Sequence, residues 1–170
     1  MYKKRIVTFI LTFVLCMVMG VSVFAGEKNN VLSSNPPSEL TVINNIKKGK
    51  NPPAKKADTH DLSVSNYNYQ VSDMGYRVYT SKWLKGASSI KISVSNWKLI
   101  DSYKGATNNK LTVRVYNSKK KEVKSKQITI SSKCGSGTIS GLNSSKKYYI
   151  CFEVPTNGNR YSFDGTISKK

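Results

Sequence analysis

The sequence is poor in the side chains that most catalytic and metal sites use. It contains one histidine, His60, and three cysteines, of which Cys16 lies in an N-terminal apolar run. A Ser–His–acid triad and a histidine-based zinc site need partners that one histidine does not have. We therefore expect no enzyme activity, no metal site and no cofactor.

Acidic residues are also few, at nine against 28 lysines and arginines. They are scattered singly along the chain. Glu153 and Asp164 fall on two predicted strands that are candidates to pair, yet a glycosidase needs two carboxyl groups facing one cleft. We interpret both as solvated surface acids near lysine partners.

The resulting formal charge of +19 predicts attraction to polyanions such as nucleic acid, anionic lipid or anionic wall polymers. A solvated lysine-rich surface without a ligand is the alternative. Arginine is scarce, and only Arg77, Arg114 and Arg160 lie beyond the N-terminal leader. Specific readout of bases or phosphates tends to use the arginine fork, so we expect no specific nucleic acid partner.

Residues 1–25 have the composition of a secretory signal helix. Three basic residues precede an apolar run at 6–23, and small or moderate residues lead to Ala25. We predict cleavage near Ala25 and a secreted or envelope-associated bacterial protein; an uncleaved membrane anchor is the alternative. Cleavage removes three basic residues, which leaves 25 basic against nine acidic residues and a net charge of +16.

Residues 26–60 predict a disordered, basic linker. Proline pairs at 36–37 and 52–53 break the chain, and five lysines between 47 and 56 accompany little that can be buried.

Residues 61–170 predict an all-β domain, because short aromatic and β-branched runs alternate with Gly, Asn, Ser and Lys. About eight strands are expected, at 62–71, 76–80, 88–97, 110–117 and 122–131, on both sides of a turn at 141–144, and at 161–167. Each has one apolar face, which favours an antiparallel β-sandwich.

Two strands carry the clearest patterns. Ile90, Ile92 and Val94 alternate with polar residues, and the phase then slips at Trp97, which predicts a bulge near Asn96. Residues 137–154 predict a hairpin in which Tyr148, Ile150, Phe152 and Val154 share the buried face.

That hairpin carries a prediction about Cys134 and Cys151. With its turn centred between Leu142 and Asn143, the two cysteines stand directly opposite each other. We predict a disulfide in the exported protein, with two free thiols as the alternative.

Four runs in the domain, at 76–79, 111–119, 142–152 and 161–168, stand out together. Over roughly residues 65–168 they resemble the bacterial pre-peptidase C-terminal type of secreted jelly-roll domain. The resemblance implies an accessory, non-catalytic, jelly-roll-like module. The family often has acidic residues where this chain has Asn108, Asn109 and Lys110, so we carry no calcium site over.

The expected function is that of a secreted, basic, non-catalytic protein binding an anionic wall polymer, polysaccharide or lipid surface. The candidate electrostatic residues form a cluster at the hairpin tip and just beyond it: Lys119, Lys120, Lys121, Lys124 and Lys126. One alternative is an antibacterial or host-directed effector that acts on membranes. Another is a carbohydrate-binding module with Trp83 or Tyr103 as its stacking residue.

Overall fold

The computed structural model describes residues 30–33, 49–103 and 109–170, and in these residues the chain is all-β, with two packed sheets. The predicted signal helix, residues 1–25, and much of the predicted linker lie outside the described residues. The strands are β1 Asn30–Ser33, β2 Thr59–Asp61, β3 Tyr67–Met74, β4 Arg77–Tyr79, β5 Trp83–Lys85, β6 Ser89–Asp101, β7 Lys110–Asn117, β8 Glu122–Thr129, β9 Gly135–Ser140, β10 Tyr148–Glu153 and β11 Arg160–Lys169.

The first sheet has the strand order β1-β3-β11-β6-β9, and the second has the order β2-β5-β10-β7-β8, with β4 also paired to β10. Neighbouring strands are antiparallel except for β1 with β3 and β2 with β5, which are parallel. The prediction of a purely antiparallel sandwich is therefore wrong at two sheet edges. Both parallel strands come from the chain at or before residue 61, where no strand was predicted.

The core between the sheets follows the predicted alternation. Ile90, Ile92 and Val94 on β6 are buried. The predicted bulge is confirmed: Asn96 adopts a φ of +54°, the pairing with β11 shifts at this point, and Trp97 beyond it is buried. One extra residue at the bulge thus returns the strand to its inward phase.

The predicted hairpin at 137–154 is wrong in its pairing. β9 pairs with β6 in the first sheet, whereas β10 pairs with β7, β4 and β5 in the second. The intervening residues cross from one sheet to the other. Alternating apolar residues specify which face of a strand is buried but not which strand it pairs with. The sequence pattern is therefore compatible both with β9 paired to β10 and with β9 paired to β6.

The predicted linker also differs from the structure where the structure describes it. β1 pairs with β3, and Leu32 is completely buried. Farther along, Gly49 accepts a backbone hydrogen bond from Tyr79. The free edge of β3 offers unpaired backbone groups to any extended segment, and one apolar side chain anchors the added strand. A single leucine in a polar stretch gives little compositional signal.

Candidate functional site

The arginines and acids of the domain largely neutralise each other. Six ion pairs join described residues, and arginine supplies the cation in five of them. Arg77 and Arg114 both contact Glu153, Arg114 also contacts Glu122, and Arg160 pairs with Asp73 and Asp101. The exception is Lys85, which lies 3.2 Å from Asp61. The excess positive charge therefore resides on lysines.

The β7–β8 turn presents three of the candidate lysines. The side-chain oxygen of Asn117 accepts backbone hydrogen bonds from Lys119 at 2.9 Å and from Lys121 at 3.1 Å. Lys120 between them adopts a left-handed φ of +59°. All three lysine side chains are exposed, and none forms an ion pair with a described residue. The asparagine thus fixes a turn whose tip is purely cationic.

Lys124 and Lys126 lie on the inward phase of β8. They stand opposite Val115 and Val113 and share the strand face of the buried Ile128. Both are nevertheless exposed, because β8 is the outermost strand of its sheet. Charged side chains turned inward on an edge strand also discourage pairing with another chain.

Glycines of the neighbouring sheet accommodate these two side chains. A Cβ atom on Gly137 would lie 3.2 Å from Cγ of Lys126, and one on Gly141 would lie 3.4 Å from Nζ of Lys124. The missing side chain at Gly137 gives the stem of Lys126 room across the boundary between β8 and β9, and the end of Lys124 lies beside Gly141. We refer to Lys119, Lys120, Lys121, Lys124 and Lys126 as the lysine edge.

The two predicted stacking residues differ in exposure. Trp83 is only 6% exposed, and its indole N–H donates a 2.9 Å hydrogen bond to the carbonyl of Ala54. It is a packing residue, so its proposed role in surface stacking is wrong. Tyr103 is 61% exposed and follows β6, and its backbone N–H donates to the side-chain oxygen of Asn159.

The outer face of the second sheet carries an aromatic cluster that the sequence did not reveal. Tyr116 and Tyr149 are register partners on β7 and β10, and their rings stack 5.1 Å apart at 8°. Tyr79 and Trp83 meet the ring of Tyr149 edge-on. Burial raises the pKa of Tyr149 to about 12. Strand pairing brings these side chains together, and periodicity along the chain does not reveal it.

Beside this cluster lies a network of charged side chains. Glu153 receives hydrogen bonds from Arg77 at 2.6 Å and from Arg114 at 3.2 Å. Burial alone would raise the pKa of Glu153, but the hydrogen bonds and charges of the two guanidinium groups lower it below its ordinary value. This carboxylate is a fixed, charged acceptor, which differs from the solvated acid that we predicted.

Glu153 and Asp164 do not face one cleft. Glu153 lies on β10 of the second sheet, whereas Asp164 lies on β11 of the first sheet and accepts a 2.8 Å hydrogen bond from Asn96. His60 is 2.9 Å from the carbonyl oxygen of Ser65 and packs edge-on against Tyr67. Within the described ranges, no three His, Cys, Asp or Glu residues cluster as a metal site requires.

The predicted disulfide is not formed, since Cys134 and Cys151 are both free. Cys134 is exposed and pairs with Ser131 in the turn before β9, whereas Cys151 is completely buried on β10, between Arg114 and Tyr79. The prediction failed because it assumed that β9 pairs with β10. Burial raises the pKa of the Cys151 thiol to about 12, so this thiol is neutral at physiological pH.

An open cleft of about 400 Å³ lies at one end of the sandwich, between the bulged end of β6 and the turn before β9. Trp97 and Leu99 contribute apolar surface, and Ser132 and Lys133 contribute polar groups. The described part of the chain contains no helix with the length and hydropathy that a membrane crossing requires.

Comparison with known proteins adds no assignment: the chain matches no protein-family model and no curated protein.

Proposed function

We propose that this chain is a secreted, basic, non-catalytic β-sandwich protein that binds anionic polymers of the bacterial envelope or of the extracellular space. The observation that carries the proposal is the lysine edge, five exposed lysines without ion-pair partners among the described residues. Export is proposed from residues 1–25, with cleavage near Ala25.

The strand order supports a jelly-roll-like module of the pre-peptidase C-terminal type. Without β1 and β2, and with β4 and β5 counted as one position, the chain supplies eight strand positions. Counted in chain order, positions one, eight, three and six then form the first sheet, and positions two, seven, four and five form the second. A double-sheet arrangement of eight strands with long crossings is that of a jelly roll.

The use of lysine in place of arginine favours charge-driven attraction over recognition of one chemical group. A lysine ammonium acts as a strongly hydrated point charge, whereas the arginine fork recognises planar anions bidentately. Arg77, Arg114 and Arg160 are all engaged with carboxylates. Weak, fast and salt-sensitive binding to a polymer of repeating negative charge is the expected behaviour.

The test is co-sedimentation of the mature protein with isolated cell-wall material over a series of salt concentrations. Binding should fall steeply as salt rises, and the triple variant Lys119→Gln, Lys120→Gln, Lys121→Gln should release at lower salt. A matched control replaces Lys91, Lys98 and Lys169, three exposed lysines on the first sheet, with Gln. Equal loss in both variants, or binding that persists in molar salt, would refute a role for the lysine edge.

Two further assays with the mature protein separate the two alternatives. Leakage from anionic vesicles would favour a membrane-active effector. Retention on neutral glycans in high salt, where charge attraction is screened, would favour a carbohydrate-binding module. In that case Tyr103→Ala should reduce retention, since Tyr103 is the exposed member of the two predicted stacking residues.

A further inference from the structure

We infer that the lysine edge holds a single linear polyanion, which lies along the seam between β8 and β9. This inference rests on the proposed function and specifies both the shape of the ligand and the path that it follows. The seam is the line where the outermost strands of the two sheets meet on one side of the sandwich.

Glycine brings the two edges together. A Cβ atom on Gly135 would lie 2.8 Å from side-chain atoms of Ile128 and Ile130, and one on Gly137 would lie 3.0 Å from Ile128. The backbone of β9 therefore approaches the side chains of β8 more closely than any other residue type permits. The outcome is a narrow seam with the backbone of β9 on one side and lysine stems on the other.

The lysines follow the seam in a row. Lys124 and Lys126 are two residues apart on one strand face, which places them about 7 Å apart along β8. The turn lysines continue the row beyond the end of the strand, so the charged path from Lys120 to Lys126 is at most about 20 Å long. Spacing of this kind suits a chain that carries a negative charge at every repeat.

Contact with glycine also positions the charges. The ammonium group of Lys124 lies over Gly141, which has a left-handed φ of +78°. A lysine stem packed along a surface retains its charged head in water while its rotamers are restricted. Less side-chain entropy is then lost when the ammonium meets an anion.

A flat anionic membrane fits this edge less well. Among the exposed large hydrophobic side chains of the described residues, only Val123 lies on β8 and none lies on β9. Adsorption to a bilayer is normally strengthened by apolar side chains that enter the interface, together with a broad basic patch. A linear polymer can contact the whole row of lysines, whereas a flat membrane contacts the row only along a line and leaves the rest of its surface without a basic partner.

The test compares linear polyphosphate of graded length with vesicles of phosphatidylglycerol, using the mature full-length protein in low salt. We expect the affinity for polyphosphate to increase with chain length until the chain spans the row of lysines, at most about 20 Å, and then to level off. Vesicles should bind more weakly at equal concentration of phosphate. If the intact protein binds neither probe, the proposed function itself fails.

Two variants test the path along the seam. Lys124→Gln with Lys126→Gln should reduce the dependence of log affinity on log salt by about 1 to 2, while Lys91→Gln with Lys98→Gln should leave that dependence nearly unchanged. Gly141→Asn keeps the net charge and suits a left-handed position, but a Cβ atom there would already contact the ammonium of Lys124 at 3.4 Å, and we expect the rest of the Asn side chain to crowd it. It should weaken binding several-fold.

Circular dichroism and thermal unfolding confirm that each variant is folded before its binding is measured. Equal losses in the two double variants, unchanged binding by Gly141→Asn, or vesicle binding as tight as that of long polyphosphate would each overturn the seam as the binding path. In those cases polyphosphate binding by the intact protein still supports a diffuse version of the proposed function.

Discussion

The carboxylate of Glu153 accepts a 2.6 Å hydrogen bond from Nε of Arg77. The pair links β10 to β4, and a second arginine, Arg114 on β7, binds the same carboxylate from the other side. The side chain of Glu153 is only 17% exposed. One carboxylate thereby joins three strands on the outer face of the second sheet.

Replacing Glu153 with Gln should destabilise the protein. The amide keeps the shape of the carboxylate but leaves two guanidinium groups with a weaker, neutral acceptor, and losses of this kind cost about 1–3 kcal/mol. Chemical denaturation measures the change in the free energy of unfolding. Asp164→Asn is the control, because Asp164 bonds a neutral partner, Asn96, and should cost less. Equal effects would contradict a special role for the arginine pair.

The stability of the protein should also decline in acid. The pKa of Glu153 is lower in the folded state than its ordinary value of 4.5, and the pKa of Asp61 is lowered to about 2 from 3.8, mainly by a hydrogen bond from the Ser63 side chain. A lowered pKa stabilises the fold above the ordinary value, and this stabilisation is lost as pH falls through the folded value. Thermal midpoints should drop below about pH 4.5, and less steeply in Glu153→Gln. If the thermal midpoints of the wild type and of Glu153→Gln decline equally with pH, the acid sensitivity does not come from Glu153.

The layers of this fold were predictable from sequence, but much of the pairing was not. The alternation of Ile90, Ile92 and Val94 follows directly from burial of one strand face, and the parity of Trp97 revealed the bulge. In contrast, β10 is buried on both faces, since Tyr149 is 3% exposed and aromatic neighbours cover it. The outer face of β10 is buried by side chains from segments that are distant in the sequence, and the local periodicity of β10 does not reveal these contacts.

The candidate site was predictable in its residues but not in its geometry. Composition identified the five lysines, and turn chemistry identified the tip at 118–121. The inward phase of Lys124 and Lys126 follows from their parity with Ile128, whereas the register shift between Val115 and Tyr116 and the close approach of glycines from the other sheet do not follow from parity. Both are properties of tertiary packing, and the signal that remained in the sequence was the glycine-rich composition of β9.

The two cysteines should differ in reactivity. In the native protein an alkylating reagent should modify the exposed Cys134 and leave the buried Cys151 unmodified at pH 8, while denaturant should expose both thiols. Mass spectrometry of the alkylated protein counts the modified thiols. Because the pKa of Cys151 is raised from 9.0 to about 12, protection should persist in mildly alkaline solution. A disulfide between the two cysteines would refute the strand pairing described above.

Gly165→Ala should be among the most damaging single substitutions in the domain. A Cβ atom there would overlap the carbonyl oxygen of Ser93 and lie 2.7 Å from the hydroxyl of Tyr69, which itself donates a hydrogen bond to that carbonyl. The obstacle is backbone on a paired strand, so relief requires separating β6 from β11; we expect a loss of about 3 kcal/mol or more. Gly75→Ala is the matched control, because its nearest atom would be 3.8 Å away. Similar unfolding midpoints for both variants would contradict this arrangement.

Leu32→Ala should reveal whether β1 contributes to the stability of the domain. Leu32 is completely buried although it lies in a stretch whose composition predicts a disordered linker. Truncating a buried leucine to alanine costs about 2–5 kcal/mol when the surrounding core does not collapse into the space. Val64→Ala is the control: Val64 is 83% exposed, and its truncation should change the free energy of unfolding by less than about 0.5 kcal/mol.

Protection of the amides of β3 from hydrogen exchange gives a second measurement, because β1 covers that edge of the first sheet. If Leu32→Ala leaves both the unfolding free energy and this protection unchanged, β1 is not a stable part of the sheet in solution, and the domain begins near residue 49.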